Sequence, residues 1–130
     1  MREIKFRAWD EIQHRMVYSG GHDKELMEFF YGIDDGTIDP TGLDIMQYTG
    51  NKDKKGKEVY EGDIVRCVPP FSIRNRYGIG EFYSKVYFAG GCFCVNSSVF
   101  LKGEPLSNMN IVEVVGNIYE NPELLEEVEG

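Results

Sequence analysis

With 130 residues, 42% of them apolar and 28% charged, the chain is long enough for one domain or two small lobes and buries roughly two-thirds of its unfolded surface on folding. That composition excludes a wholly disordered chain, and no apolar run approaches the ~18 residues of a membrane span. The net charge of −8 works against unaided nucleic-acid binding, whose affinity comes largely from neutralised phosphates.

The acidity is uneven. Glu113, Glu120, Glu123, Glu126, Glu127 and Glu129 fall in the last stretch with no Lys or Arg among them, so the body before them is close to neutral. Arg2, Glu3, Lys5 and Arg7 follow Met1 at once, and no secretory leader is expected. Three cysteines, an odd number, suit a reducing compartment better than a disulfide framework.

In chain order, residues 3–9 alternate with period two, which predicts a half-buried strand with Ile4, Phe6 and Ala8 on one face and Lys5, Arg7 and Trp9 on the other. Polar residues 10–15 followed by Met16, Val17 and Tyr18 predict a hairpin that ends at Gly20-Gly21. Leu26, Phe29 and Phe30 have helical spacing and predict a short amphipathic helix within 23–32, or an aromatic-anchored loop; 34–42 is turn material. A short strand is expected at 45–48, a polar turn at 49–56, and then Val59 and Tyr60 leading into Glu61-Gly62-Asp63, a tight turn in which Gly62 supplies a positive φ. The strand 64–68 is closed by Pro69-Pro70, which cannot donate to a ladder. Residues 71–80, with Gly78 and Gly80, read as a loop. Residues 81–88 read as one strand, which Gly90-Gly91 turns into another at 92–95, and a last strand is expected at 110–115. The end carries helix-start signals: Asn121 as cap, Pro122 at the first helical position, Glu123 beside the positive helix end, and an apolar stripe of Leu124, Leu125 and Val128. Leu124 and Leu125 are expected to dock, with Glu126, Glu127 and Glu129 facing water. Short strands with closely spaced turns predict a mainly β, β-rich α+β fold built on a strongly bent antiparallel sheet or small barrel, with a short C-terminal helix.

Few residues group as chemistry requires. Asp34-Asp35-Gly36-Thr37-Ile38-Asp39 echoes the middle of a calcium loop, but the positions that should hold the remaining ligands are Tyr31, Ile33 and Gly42, so a solvated turn is expected. Cys92 and Cys94 share one face of a strand; a zinc site would need Cys67 and a histidine to converge on them, and small core filler is the simpler expectation. His14 and His22 fall in polar turns, away from any evident nucleophile. No phosphate loop, Ser-His-Asp order or distinctive carboxylate pair is present, so no catalytic residue, metal or cofactor is expected. Lys52, Lys54, Lys55 and Lys57 form a basic tip offset by Asp53 and Glu58. It reads as a nucleic-acid or anion contact, or as a solvated hairpin tip that discourages edge pairing.

Three stretches resemble the YopX family of small phage and prophage proteins. They are Ile4-Lys5-Phe6-Arg7-Ala8-Trp9-Asp10, the long block MQYTGNKDKKGKEVYEGDIVR from Met46 to Arg66, and Val115-Gly116-Asn117-Ile118-Tyr119-Glu120-Asn121-Pro122-Glu123-Leu124-Leu125. Residues 19–44 and 69–108 follow no family pattern. The resemblance implies an SH3-like barrel at about 45–116, an N-terminal hairpin elaboration at about 1–44 and a helical tail at 117–130, in one compact chain. It also implies a phage or prophage product acting in a bacterial cytoplasm, and it supplies no activity. Its motifs consist of turn and cap residues, and Gly62, Asn121 and Pro122 are expected to specify the fold rather than an active site.

Taken together, these features predict a non-enzymatic module that binds a host or phage protein, not a membrane; a homo-oligomer is compatible with them. The alternatives are a nucleic-acid-binding barrel using the Lys52–Lys57 tip with Trp9, Tyr83 or Tyr87 as stacking rings, and an enzyme built on Cys67, Cys92 or Cys94.

Overall fold

Strand β1 (Phe6–Asp10) is hydrogen-bonded along both edges, in a computed structural model that describes residues 4–11, 13–19, 43–78, 80–96 and 103–125. The chain divides into two compact units, Met1–Gly50 and Asn51–Gly130. The helix expected within 23–32, the turn at 34–42, His22 and the glutamates beyond Leu125 lie outside the described residues.

In the first unit β1 pairs antiparallel with β2 (Arg15–Tyr18), aligning Ala8 with Val17, and on its other side with β3 (Leu43–Lys52), aligning Ala8 with Ile45. The expected hairpin is present. Its turn is held by Asp10, whose Oδ1 accepts the Gln13 N–H at 3.1 Å, and His14 takes a left-handed φ of 51° to complete the reversal. Ser19 closes the open end: its N–H donates to the Phe6 carbonyl at 2.9 Å while its Oγ accepts the Phe6 N–H at 3.0 Å. The expectation of one wet face on β1 is corrected. Arg7, Ala8 and Trp9 are all buried, because the centre of this strand is covered on both faces. Period-two alternation reports which residues share a face, not whether the second face is covered.

The second unit starts within β3, which is longer than expected and runs past Gly50 to Lys52. After β4 (Glu58–Tyr60) and β5 (Asp63–Val68), the antiparallel order is β10 (Asn110–Asn117), β5, β6 (Phe82–Lys85). A second antiparallel sheet runs β7 (Tyr87–Ala89), β8 (Cys92–Val95), β9 (Glu104–Pro105). Val59, Val65, Cys67, Phe82, Val86, Phe93, Val95, Leu106, Met109, Ile111 and Val114 form the core, so this unit is a small barrel-like β fold. Two register shifts in β10, between Ile111 and Glu113 and between Val114 and Gly116, supply the extra residues that let a strand bend sharply.

The single strand expected at 81–88 is two, broken at buried Val86, whose backbone leaves the ladder to bind the 61–63 turn. Gly62 N–H donates to the Val86 carbonyl and Val86 N–H to the Asp63 carbonyl, both at 2.8 Å. Gly62 has the expected positive φ, 88°. Buried Asp63 holds the same turn from the other side, its Oδ2 accepting the Tyr60 N–H at 2.8 Å, and the Ile118 N–H donates to the Gly62 carbonyl at 2.9 Å. One turn thus joins β4, β5, the β6–β7 break and the exit from β10.

Residues 71–80 are not a plain loop: Phe71–Tyr77 is a helix, α1. Pro70 precedes it and accepts the Arg74 N–H on its carbonyl at 3.0 Å, and Gly78 ends it in the left-handed conformation with its N–H on the Arg74 carbonyl at 2.9 Å. Strand β9 and the 3-10 turn Leu106–Asn108, with Leu106 wholly buried, fill a stretch for which the sequence predicted no element.

The C-terminal helical turn at 123–125 forms as expected, but Asn121 caps it differently. The Asn121 carbonyl, not its side chain, accepts the Leu124 N–H, at 3.1 Å; its Oδ1 turns back to accept the Asn117 N–H at 3.2 Å. Asn117 returns the contact with its carbonyl, which accepts the Asn121 N–H at 2.9 Å, while its Oδ1 accepts the Tyr119 and Glu120 N–H groups at 3.0 and 2.9 Å. Gly116 makes room for this exchange, since a Cβ there would lie 2.5 Å from Asn121 Oδ1. Gly116→Ala should therefore cost about 1–3 kcal/mol by chemical denaturation, through overpacking and loss of that bond. Asn121→Ala should absorb part of the cost when the two are combined; fully additive losses would contradict the packing described.

Candidate functional site

The basic tip is built around an acid. Asp53 is buried, and its carboxylate accepts three backbone N–H groups at 2.9 Å each: Lys55 and Lys57 on Oδ1, Val114 on Oδ2. The turn closes on itself through Asp53 N–H to the Lys57 carbonyl at 2.9 Å and Gly56 N–H to the Asp53 carbonyl at 3.0 Å. Gly56 is required by its φ of 84°, not by crowding, for a Cβ there would meet nothing within 4 Å. Lys54 N–H donates to the Ile111 carbonyl at 3.1 Å, so the turn is bonded to β10 on both sides of the first bulge. Burial pushes the Asp53 carboxyl up. The three N–H groups and the Lys57 charge outweigh it and hold the group below its usual 3.8.

This core leaves all four lysines exposed. Lys55 Nζ donates to Glu113 Oε2, and Glu113 reaches Arg66 at 3.5 Å, which in turn reaches Glu81 at 3.3 Å. The Lys55 hydrogen bond and charge hold Glu113 below its usual value against its own burial, with a smaller pull from Arg66 that opposes the Asp53 charge. Lys52, Lys54 and Lys57 carry no ion pair among the described residues. Three exposed ammonium groups on a hydrogen-bonded turn can attract anions in a salt-dependent way. The organising residue, Asp53, was not singled out from sequence; an Asp opening a turn that contains Gly, with N–H groups following at two and four residues, is the signal for it.

The other candidates separate. Cys67 is buried in the core, and burial pushes its thiol up to about 12, where no useful thiolate forms near neutral pH. Cys92 and Cys94 do share a face of β8, but Cys92 is exposed, which corrects its reading as core filler. His14 stands edge-on to Trp9 with ring centroids 5.9 Å apart. Among the described residues no group of three or more His, Cys, Asp or Glu converges. Trp9 is buried and drops out as a stacking ring, while Tyr83 and Tyr87 are half-buried. Among the described residues two aromatics of the second unit are exposed, Phe88 on β7 and Phe71, which the sequence did not mark: Phe71 is 72% exposed at the start of α1, with the Arg74 guanidinium 5.9 Å from its ring centre. Arg74 and Arg76 make the last turn of α1 basic, and its first turn holds no acid.

Comparison with known proteins bears on the whole chain. The family model described as YopX protein matches residues 5–126. No curated protein matches. A solved structure, protein EF1440 from Enterococcus faecalis, is similar in fold with a TM-score of 0.56 and 24% identity, over 96% of this chain and 99% of that one.

Asp53→Ala should destabilise the protein by about 3 kcal/mol in denaturant titration, since it removes a charged acceptor and strands the buried Val114 N–H. Because the folded carboxyl titrates below its unfolded value, its contribution is complete above about pH 4 and is lost as pH falls through the lower folded value. Melting temperature against pH should therefore fall in acid for the wild type, and by less for Asp53→Ala; equal acid limbs would contradict the assignment.

Proposed function

The chain belongs to the YopX family, and we propose that it is a phage or prophage accessory protein that works in the bacterial cytoplasm by binding another protein, with the second unit an SH3-like barrel. The observation that carries this reading is α1, which presents Phe71 and two arginines to solvent on an element pinned by Pro70 and Gly78. Aromatic and arginine side chains dominate binding energy at protein interfaces, and an element whose ends are already fixed loses little entropy on docking. The partner surface that fits is apolar at its centre with carboxylates at the rim, to take Phe71, Arg74 and Arg76. In a pull-down from bacterial lysate at mild salt, the wild type should retain a specific protein that Phe71→Ala and Arg74→Ala lose. No retained protein, or retention indifferent to both substitutions, would overturn the reading.

A second reading rests on Lys52, Lys54 and Lys57, exposed on a turn fixed by Asp53. It makes the tip a contact for nucleic-acid phosphates. Labelled DNA and RNA titrated at two salt concentrations should then bind more weakly at high salt, and replacing the lysines should abolish binding. No binding at low salt excludes it.

A further inference from the structure

One face of the β7–β8 hairpin carries a preformed pair of thiols, Cys92 exposed and Cys94 buried. Cys92 and Cys94 project from the same side of β8, opposite to buried Phe93 and Val95, and their Sγ atoms are 3.6 Å apart in a shared hydrogen bond. Both thiols also point at one carbonyl, that of Ala89, at 3.8 and 3.7 Å. Tyr87 and Pro105 flank Cys94 across the two neighbouring strands. Tyr87 lies close against it, since a Cβ at Gly103 would collide with the Tyr87 hydroxyl and sit 3.3 Å from Cys94 Cβ. One thiol is thus held and shielded while the other is open to solvent.

Two uses of such a pair have different geometric demands. A disulfide would bring the sulfurs to about 2.05 Å. It would also have to span the ~6.6–6.8 Å that two residues of extended strand cover, at the upper end of what disulfides bridge. Closing it would distort β8. Two thiolates on one tetrahedral divalent ion, with metal–sulfur bonds of about 2.3 Å, stand about 3.8 Å apart. That is close to the 3.6 Å already present.

We propose that Cys92 and Cys94 form a bidentate site for a thiophilic divalent cation of the zinc–cadmium type. Binding forms two metal–sulfur bonds, breaks two S–H bonds and releases two protons to solvent, with no change of oxidation state. Among the described residues no third side chain completes the set, so the other coordination positions fall to water or a small external thiol, and the ion is exchangeable rather than structural. Cys67, enclosed in the core, takes no part.

The test titrates cadmium ion into the reduced full chain and reads the ultraviolet thiolate-to-cadmium charge-transfer band. The band should saturate at one ion per chain and disappear in Cys92→Ser, whose exposed position leaves the melting temperature of the ion-free protein unchanged. Absence of the band in the wild type, or its persistence in folded Cys92→Ser, overturns the proposal.

Discussion

A buried carboxylate with three backbone N–H groups on it, Asp53, ties the lysine turn to β10 in the second unit. Two of the donors, Lys55 and Lys57, belong to its own turn; the third, Val114, belongs to β10, far along the chain. An unpaired buried carboxylate is expensive, and the three donors turn that cost into a constraint, because a turn displaced from β10 loses the Val114 N–H. The constraint fixes the turn on β10 beside its first bulge, and β10 in turn aligns on β5 through Val114 opposite Val65. The lysines are exposed because their backbone is anchored from beneath by an acid.

The same device recurs. Asp63 accepts from Tyr60, Asn117 accepts from Tyr119 and Glu120, and Asn121 accepts from Asn117. Each is a side chain standing in for a backbone carbonyl where the chain leaves a strand. A small β fold has little core with which to fix its connections, and these bonds fix them instead. They lie in the stretches by which the chain resembles its family, and the resemblance is therefore informative about architecture. The residues that could engage a partner, Phe71, Arg74 and Arg76, lie outside those stretches, as do Cys92 and Cys94.

How much was legible from sequence follows from which physical signals sequence carries. The Glu61-Gly62-Asp63 turn and strands β5 and β8 were readable because glycine, proline and β-favouring residues mark them locally. Helix α1 reads as a loop in sequence because Pro70 marks the end of β5 as well as the start of a helix, Gly78 with Gly80 suits a loop as well as a helix end, and no amphipathic pattern stands out between them. Val86 looked like mid-strand because only its long-range partners, Gly62 and Asp63, break the ladder. Trp9 and Arg7 looked half-wet because alternation is blind to a second covering layer. At the lysine tip the charges were legible, but the role of Asp53 was not: sequence displays it as one acid among lysines, and its decisive donor, Val114, is set by tertiary structure. For the thiols, spacing gave the shared face of Cys92 and Cys94 and could not give the exposure of Cys92.

If Asp53 is the anchor, its three donors form one cooperative unit. Amide hydrogen exchange by NMR reads this directly at Lys55, Lys57 and Val114 in the wild type and in Asp53→Ala, with Ile118, bonded to the Gly62 carbonyl, as the reference. The account predicts protection at all three amides in the wild type, its joint loss in the variant, and an Ile118 amide that stays protected. Fast exchange at these amides in the wild type, or protection that survives the loss of the carboxylate, would contradict it.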